Sequence, residues 1–545
     1  MVGLFLFNIA ERVLEKIALL AGEVLLAFSV KSDLRKLQDT MSSIKAVLLD
    51  AERQQHQNEK LRLCMWKLRD IFYDVEDVLD EFECEALRKQ IANHPCISVK
   101  ALKLSYHHLP SPLQRCLAFL SLYEKDHIYY DDDVIQFWMA NGLLEYPKQN
   151  QEWEDVGGRY LNELRSRCFI QDADYGGFKM HDLIHDLALD VSQKECKTLY
   201  RQTENVDEKV RHVSFCDDQS FIKVPLVLKE SKHVRTIIAQ NLSKELKTID
   251  KSFIKFCVSN FKYLRALDLS YSSLKALPNS VGTLKHLRYR DLSSSRIRKL
   301  PSSFYKLRSL QTLRMWDTTL KRLPDNMQSL IRLRYLEITI EATHLKEIRP
   351  GCWSSLQYLG LLGCGNLECL FEGMQYLTSL RTLYVAGCSK LVRLPRSLKF
   401  LTKLEHLHIL RCRAINLHME PEEKEDQDLA LSLKTFSIWG LEALTDLPRL
   451  LLEGSARTLQ CIQINICGKF EVLPEWLRSL TSLQKLEIRY CPKLTSLLEG
   501  MGRLTALRQL KVEGCPTLSE RCQRDGGEDW PNFHKSERLR LVADN

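Results

Sequence analysis

Leucine recurs on a long beat through the second half of the chain. The pattern L-x-x-L-x-L opens at Leu264, Leu287, Leu310, Leu333 and Leu356 in steps of 23 residues, then at Leu380 and Leu404 in steps of 24. After a longer insertion it returns at Leu433, Leu459, Leu483 and Leu507, making eleven units. Each first half, such as LRALDLS or LRTLYVAG, predicts a short strand with Leu267-type and Leu269-type positions inward and the residue between them outward. The second half often reads L-x-x-L-P, as at Leu277-Pro278, Leu300-Pro301, Leu323-Pro324, Leu394-Pro395 and Leu473-Pro474. Proline cannot join a ladder, so this segment turns across the opposite side.

Stacked coils of this kind predict an α/β leucine-rich-repeat solenoid over 261–520, with strands lining a concave surface. Residues 201–260 read as irregular first repeats and 521–545 as a polar C-terminal tail. Cys364, Cys388 and Cys412 are 24 apart, as are Cys467, Cys491 and Cys515, and each stands where earlier coils carry Ser272, Ser295 and Thr318. A small side chain at the strand-to-turn corner explains them better than a metal or disulfide. Arg290 takes a slot held elsewhere by Leu267, Leu313 and Leu336. That coil is therefore expected to be distorted, or the guanidinium to have a partner. Outward positions carry Tyr289, Tyr335, Tyr358, Tyr384, His406 and His408, a candidate recognition surface. The residue after the opening leucine is Arg265, Arg288, Arg334 and Arg381, and later Arg508; the earlier ones predict a basic column along one rim.

Residues 1–92 follow a different period. Ile9, Val13, Ile17, Leu20 and Val24 form one helical stripe, Leu34 to Val47 a second, and Leu68, Phe72, Val75, Leu79 and Phe82 a third. A small antiparallel helical bundle is expected. Its third helix carries a dense acidic run that includes Glu76, Asp77 and Asp80. Like charges at i,i+4 repel by a few tenths of a kcal/mol per pair. Docking on the basic column, an intramolecular bundle-to-repeat contact, would relieve that repulsion.

Between these regions, 97–200 holds helical segments VKALKLSYHHL, LQRCLAFLSL, DVIQFWMANGLL and VGGRYLNELRSRCFI, then two short extended pieces around the turn DADYGG and a last helix. This order predicts a winged-helix domain. None of its helices has the Arg, Lys and Asn that base reading needs, so nucleic acid is not expected as a partner. The last helix contains KMHDLIHDLALD, where His181 and His185 share a face, as in helical zinc sites. No third ligand is evident, so no metal is expected, and His185 and Asp186 are read as surface or interface residues.

Composition changes the picture little. At 545 residues, 45% hydrophobic and 27% charged, the chain suits soluble multidomain protein, and its net charge of +8 is spread rather than clustered. The apolar start, Val2 to Phe7, lacks the basic region of a signal peptide and stops at Asn8. No CxxC pair occurs among 18 cysteines, which points to a reducing, cytoplasmic setting.

LKLSYHHLPSPLQRCLAFLSL, DVIQFWMANGLL and KMHDLIHDLA resemble the winged-helix part of plant intracellular immune receptors, which join a coiled-coil domain, a nucleotide-binding domain and leucine-rich repeats. LLDAERQQ and YDVEDVLDEFECEALRKQ resemble the coiled-coil domain with its acidic EDVID-type motif, and RHVSF at 211–215 matches the usual continuation. The resemblance implies a disease-resistance protein acting in defense, not an enzyme. Its repeats would recognise a pathogen effector or a guarded host protein, and its bundle would signal. In such receptors ADP holds a closed state and ATP permits oligomerisation. Met180, His181 and Asp182 would form the nucleotide-sensing MHD-type motif.

This sequence, however, runs from EALRKQIANHPC directly into ISVKALKLSY. It has no G-x-x-x-x-G-K-[ST] and no apolar strand ending in Asp-Asp. The nucleotide-binding core is thus expected to be missing, leaving the motif vestigial and no ADP or ATP cofactor. Two alternatives stay open: a regulatory or decoy fragment that modulates full-length paralogues, and a switch or hydrolase with residual nucleotide activity. The resemblance also allows the first helix to reach the plasma membrane.

Overall fold

The computed structural model describes residues 102–521 apart from short internal segments, the strand at 540–543, and two isolated positions nearer the N-terminus. The chain divides into two compact units, 1–109 and 110–545. The expected bundle, with Glu76, Asp77, Asp80 and the apolar start, lies outside the described residues. Residues 97–109, placed in the winged-helix domain from the sequence, fall within the first unit.

The second unit begins with three helices, α1 (Ser111–Leu120), α2 (Asp131–Asn141) and α3 (Trp153–Ser166). A two-stranded hairpin, β1 (Gln171–Asp172) and β2 (Phe178–Lys179), and helix α4 (Asp182–Ser192) complete the winged-helix module. Three aspartates in the first turn of α2 face its positive dipole end, and Gly142 (φ 70°) stops it with a left-handed cap. A capping box opens α3, with Glu152 and Asp155 each meeting the other's backbone. Gly157 lets α3 lie against α2, since a Cβ there would stand 2.6 Å from the Ile135 side chain. Tyr129 pairs with Phe178 through two 2.8 Å backbone bonds and adds a third short strand to the wing.

Parallel strands then stack in sequence order into one sheet. It starts with β3 (Cys196–Leu199), β4 (His212–Phe215) and β5 (Thr236–Ala239), so the solenoid begins before residue 200. The eleven expected units supply β6 (Ala266–Asp268), β7 (Tyr289–Asp291), β8 (Thr312–Met315), β9 (Tyr335–Ile338), β10 (Tyr358–Leu362), β11 (Thr382–Ala386), β12 (His406–Leu410), β13 (Thr435–Trp439), β14 (Cys461–Asn465), β15 (Lys485–Arg489) and β16 (Gln509–Glu513). A fifteenth strand, β17 (Arg540–Ala543), extends the sheet into the segment read as a polar tail.

Leucines inside the coils form one continuous core, with Leu267, Leu313, Leu336 and Leu383 fully buried. After Pro278, Pro301, Pro395 and Pro474 the chain makes a five-residue 3-10 turn, the convex-side crossing the prolines predicted. At the end of many strands one residue is left-handed: Tyr271, Ser294, Asp317, Arg411, Ile466 and Tyr490 have φ of 49 to 54°, and glycine fills the equivalent place at Gly363, Gly387, Gly440 and Gly514. The next residue is the corner side chain. Ser295 and Thr318 hydroxyls donate to a carbonyl three back, and the Cys412, Cys467 and Cys491 thiols donate at 3.4 Å to a carbonyl two back. All six ladder cysteines are buried free thiols.

Arg290 meets neither expectation. Its coil stays in register, Arg290 lying between Leu267 and Leu313, and the residue is fully buried. Among the described residues, Nε, Nη1 and Nη2 have no hydrogen-bond partner.

Candidate functional site: the concave face and its docked module

The outward residues of the strands form two rows, set by the parallel register. One runs Ala266, Tyr289, Thr312, Tyr335, Tyr358, Thr382, His406, and the other Asp268, Asp291, Arg314, Glu337, Gly360, Tyr384, His408. At Gly360 a Cβ would stand 2.7 Å from Cγ of Glu337, so the glycine makes room for the carboxylate that Arg314 needs.

The basic column exists. Backbone bonds step along it from Arg235 to Arg265 to Arg288, and again from Arg334 through Gln357 to Arg381. Arg211 and Arg235 extend it at the start; each follows a buried valine, a signal visible in VRHVSF and VRTIIA. Its guanidinium groups are engaged by the winged-helix module. Nη1 of Arg265 donates to the Asn141 carbonyl at 2.7 Å and Nη1 of Arg288 to the Ala140 carbonyl at 3.5 Å, at the negative end of α2. Burial and the neighbouring Arg235 and Arg288 pull Arg265 down to about 10.

Further along, Arg334 grips Glu154 with Nε (2.9 Å) and Nη2 (2.6 Å), and Nη2 also reaches Glu152 at 2.8 Å. Burial opposes the charge of Arg334, yet these carboxylates hold its proton above the usual range. Arg381 reaches Asp155 at 2.6 Å, so one carboxylate both caps α3 and pins it to the repeats. Arg314 bridges Asp133 of α2 and Glu337. Glu76, Asp77 and Asp80, the acids expected on this column, lie outside the described residues.

The candidate recognition surface divides. Tyr289 is 1% exposed because Phe137 of α2 stacks on it, ring centroids 4.1 Å apart, so it is not an open position. Tyr335 is also buried; it stacks on half-buried Tyr358 at 4.0 Å, and both hydroxyls point to Oε1 of Glu337. Tyr384, His406 and His408 remain partly exposed beyond the module. Burial lowers both histidines, His408 to about 4, so they present neutral rings at pH 7.

The histidine motif resolves unevenly. Met180 is buried, while His181 and Asp182 are exposed at the start of α4. The His181 carbonyl takes the Ile184 and His185 N–H groups, so it acts as the helix cap. His185 is not a surface residue: it is 5% exposed and its Nε2–H donates to the Tyr123 carbonyl at 2.7 Å. Its neighbour Asp186 is exposed and pairs with Lys125. Among the described residues His181 and His185 belong to no group of three or more ligand atoms close enough to share a metal ion.

A winged-helix module seated on the concave strands of a leucine-rich-repeat solenoid defines a two-module repeat protein. Residues 122–188 match the disease resistance protein winged helix domain, 9–109 the Rx N-terminal domain and 244–472 a leucine-rich repeat region. The chain is 36% identical over 188 residues to the putative disease resistance protein RGA4 of Solanum bulbocastanum, covering 34% of this chain and 16% of that one. It is 32% identical over 187 residues to the putative disease resistance RPP13-like protein 1 of Arabidopsis thaliana, covering 32% and 17%. It thus aligns with less than a fifth of either relative's length. Among solved structures, a Leptospira interrogans LRR protein aligns at a TM-score of 0.36 and 17% identity, over 61% of this chain and 90% of that one. Through these three regions the chain is similar to plant disease resistance proteins.

Proposed function

We propose that this chain works in plant defense as a non-enzymatic recognition protein. Its open concave face takes a pathogen effector or a guarded host protein, and its N-terminal bundle signals, without a nucleotide switch. The observation that carries this reading is the division of the concave face. The docked module covers Tyr289 and engages Arg265 through Arg381, while Tyr384, His406 and His408 stay accessible beside it. Neutral aromatic groups on a rigid sheet suit a protein partner.

The inferred loss of the switch rests on the direct run from EALRKQIANHPC into ISVKALKLSY and on the missing phosphate-binding motif. A ligand shifts states only through differential binding, so without nucleotide exchange the chain signals, or modulates full-length paralogues, through contacts alone. Calorimetric titration with ADP tests this, and a micromolar or tighter constant refutes it. Expression in leaf tissue, alone and beside a full-length relative, separates the roles. Cell death marks a signaller and suppression a regulator; silence in both settings counts against the proposal. Among the described residues no helix is long and apolar enough to cross a membrane. The membrane role proposed is that of the first helix, where leakage of liposomes by the bundle is the test.

A further inference from the structure

The net charge is not spread, as composition suggested, but gathered on one part of the solenoid. Residues 251–334 carry 18 lysines and arginines against 4 aspartates, an excess larger than the +8 of the whole chain. Arg265, Arg288, Arg314 and Arg334 engage the docked module, and Arg290 is buried. Twelve of the rest are exposed, against one exposed acid, Asp317, among the described residues.

Part of this charge stands in a file. Backbone bonds step from Arg235 to Arg265 to Arg288, then through Gln311 to Arg334. Three residues before each, in that order, come Lys232, Lys262, Lys285, Arg308 and Ile331. The N–H groups of Lys232, Lys285, Arg308 and Ile331 each donate to the carbonyl two back at 2.8 to 3.0 Å, so these side chains leave equivalent turns. Strands stack about 4.8 Å apart, so the four exposed cations line one rim of the sheet, with Lys306 and Arg332 beside them. Among the described residues none of the six forms an ion pair. In the turns 229–235, 259–265, 282–288, 305–311 and 329–334 the one acid is Glu230.

The column just inside the rim offers no countercharge. Arg265 and Arg288 are cations that bond backbone carbonyls of the module, and Arg332 adds to the burial that lowers Arg288. Cations spaced within a Debye length of one another gain most from a surface that supplies many anionic groups at once. Two apolar side chains level with the file indicate which surface. Tyr263 is 54% exposed and Ile331 56%. A nucleic-acid backbone leaves Ile331 wet, whereas a lipid interface takes up cations, tyrosine and an aliphatic tip together.

We propose that this rim, Lys232 to Arg332, docks on an anionic lipid surface, with Tyr263 and Ile331 entering the headgroup layer. The rim stays exposed while the module is docked, and Tyr384, His406 and His408 lie on later coils. Lipid binding therefore stands apart from recognition on the open concave face, and it uses none of the first helix.

Cosedimentation of the full chain with vesicles tests it at about 0.15 M salt, comparing phosphatidylcholine alone with a mixture holding about 30% phosphatidylserine. Partitioning should be at least about tenfold stronger onto the mixture. The triple variant Lys262→Glu, Lys285→Glu, Arg308→Glu should lose at least about tenfold of it. If that variant fails to fold, the neutral Lys262→Gln, Lys285→Gln pair should lose about fivefold or more. Tyr263→Ser with Ile331→Ser should weaken it severalfold. Lys275, Arg298 and Lys321 form a second file past the far ends of the strands, Lys321 N–H meeting the Arg298 carbonyl. Reversing those three to Glu should cost less than about threefold, since they lie off the docking rim. Equal partitioning onto both vesicles overturns the proposal. So does wild-type binding by the rim variants, which would leave the first helix as the anchor, or an equal loss from the second file. Rim-dependent binding of oligouridylate or polyglutamate, with none to the vesicles, also overturns it in favour of a soluble polyanion.

Discussion

Arg290→Leu should stabilise the protein, an unusual outcome for a change at a fully buried site. The guanidinium sits in a leucine slot with none of its nitrogens bonded among the described residues, and burial lowers its pKa only to about 10, so it is charged at neutral pH. An ion buried without hydrogen bonds costs several kcal/mol, and replacing buried ion groups by apolar ones of similar volume has stabilised proteins by about 1–4 kcal/mol. Leucine also supplies the side chain that Leu267 and Leu313 already carry on either side. The expected gain is about 3 kcal/mol. In a repeat array that gain stays mostly within neighbouring coils. Amides of β6, β7 and β8 should therefore exchange with solvent about a hundredfold more slowly, and the urea midpoint should rise. A lower midpoint with faster exchange in these strands would falsify the description of Arg290 as an unpartnered charge.

Three other perturbations probe the docked module and the corners. Arg334→Ala removes the partner of Glu152 and Glu154 at a site only 12% exposed, and should loosen α3 by about 3 kcal/mol. Hydrogen exchange would rise across 131–166 while the sheet holds, and unchanged exchange there contradicts the ion-pair account. Ile466→Gly relieves a β-branched residue at φ 53° where other coils use glycine, and should add about 1 kcal/mol by denaturant titration; a loss of stability counts against stored strain at that corner. Asp291→Asn should stabilise at pH 8 and lose that advantage toward pH 4. The folded carboxyl is raised to about 7 from 3.8, so its protonated form favours folding. That contribution is complete below about pH 4 and is lost as pH rises through 7. Because Asp268 shares the burden, the gain at pH 8 is on the order of 2 kcal/mol, and melting curves with a pH-independent difference would refute the assignment.

The repeat was legible because an inward leucine every second strand position, on a period of 23 or 24, leaves little choice of phase. That phase also placed Tyr289 and His408 on the outward face correctly. It could not say which outward positions another module covers, since Phe137 reaches Tyr289 from a helix far away in sequence. The basic column was legible for the same reason, as a fixed offset from each leucine. Its described partners were not, because two of them are backbone carbonyls at the end of α2, which carry no side-chain signature. Glu152, Glu154 and Asp155 read as a helix start, and only docking gives them a second role. His185 was misjudged because its Tyr123 carbonyl partner comes from a distant loop.

The same geometry couples ligand charge to the position of the module. Its grip on the solenoid comes from arginines facing acids and carbonyls, plus the Phe137–Tyr289 stack. An acidic partner competes for Arg334 and Arg381 with Glu152, Glu154 and Asp155, so its binding favours release of α3. The open row of Tyr384, His406 and His408, neutral at pH 7, takes no part in that competition and can be occupied in either state.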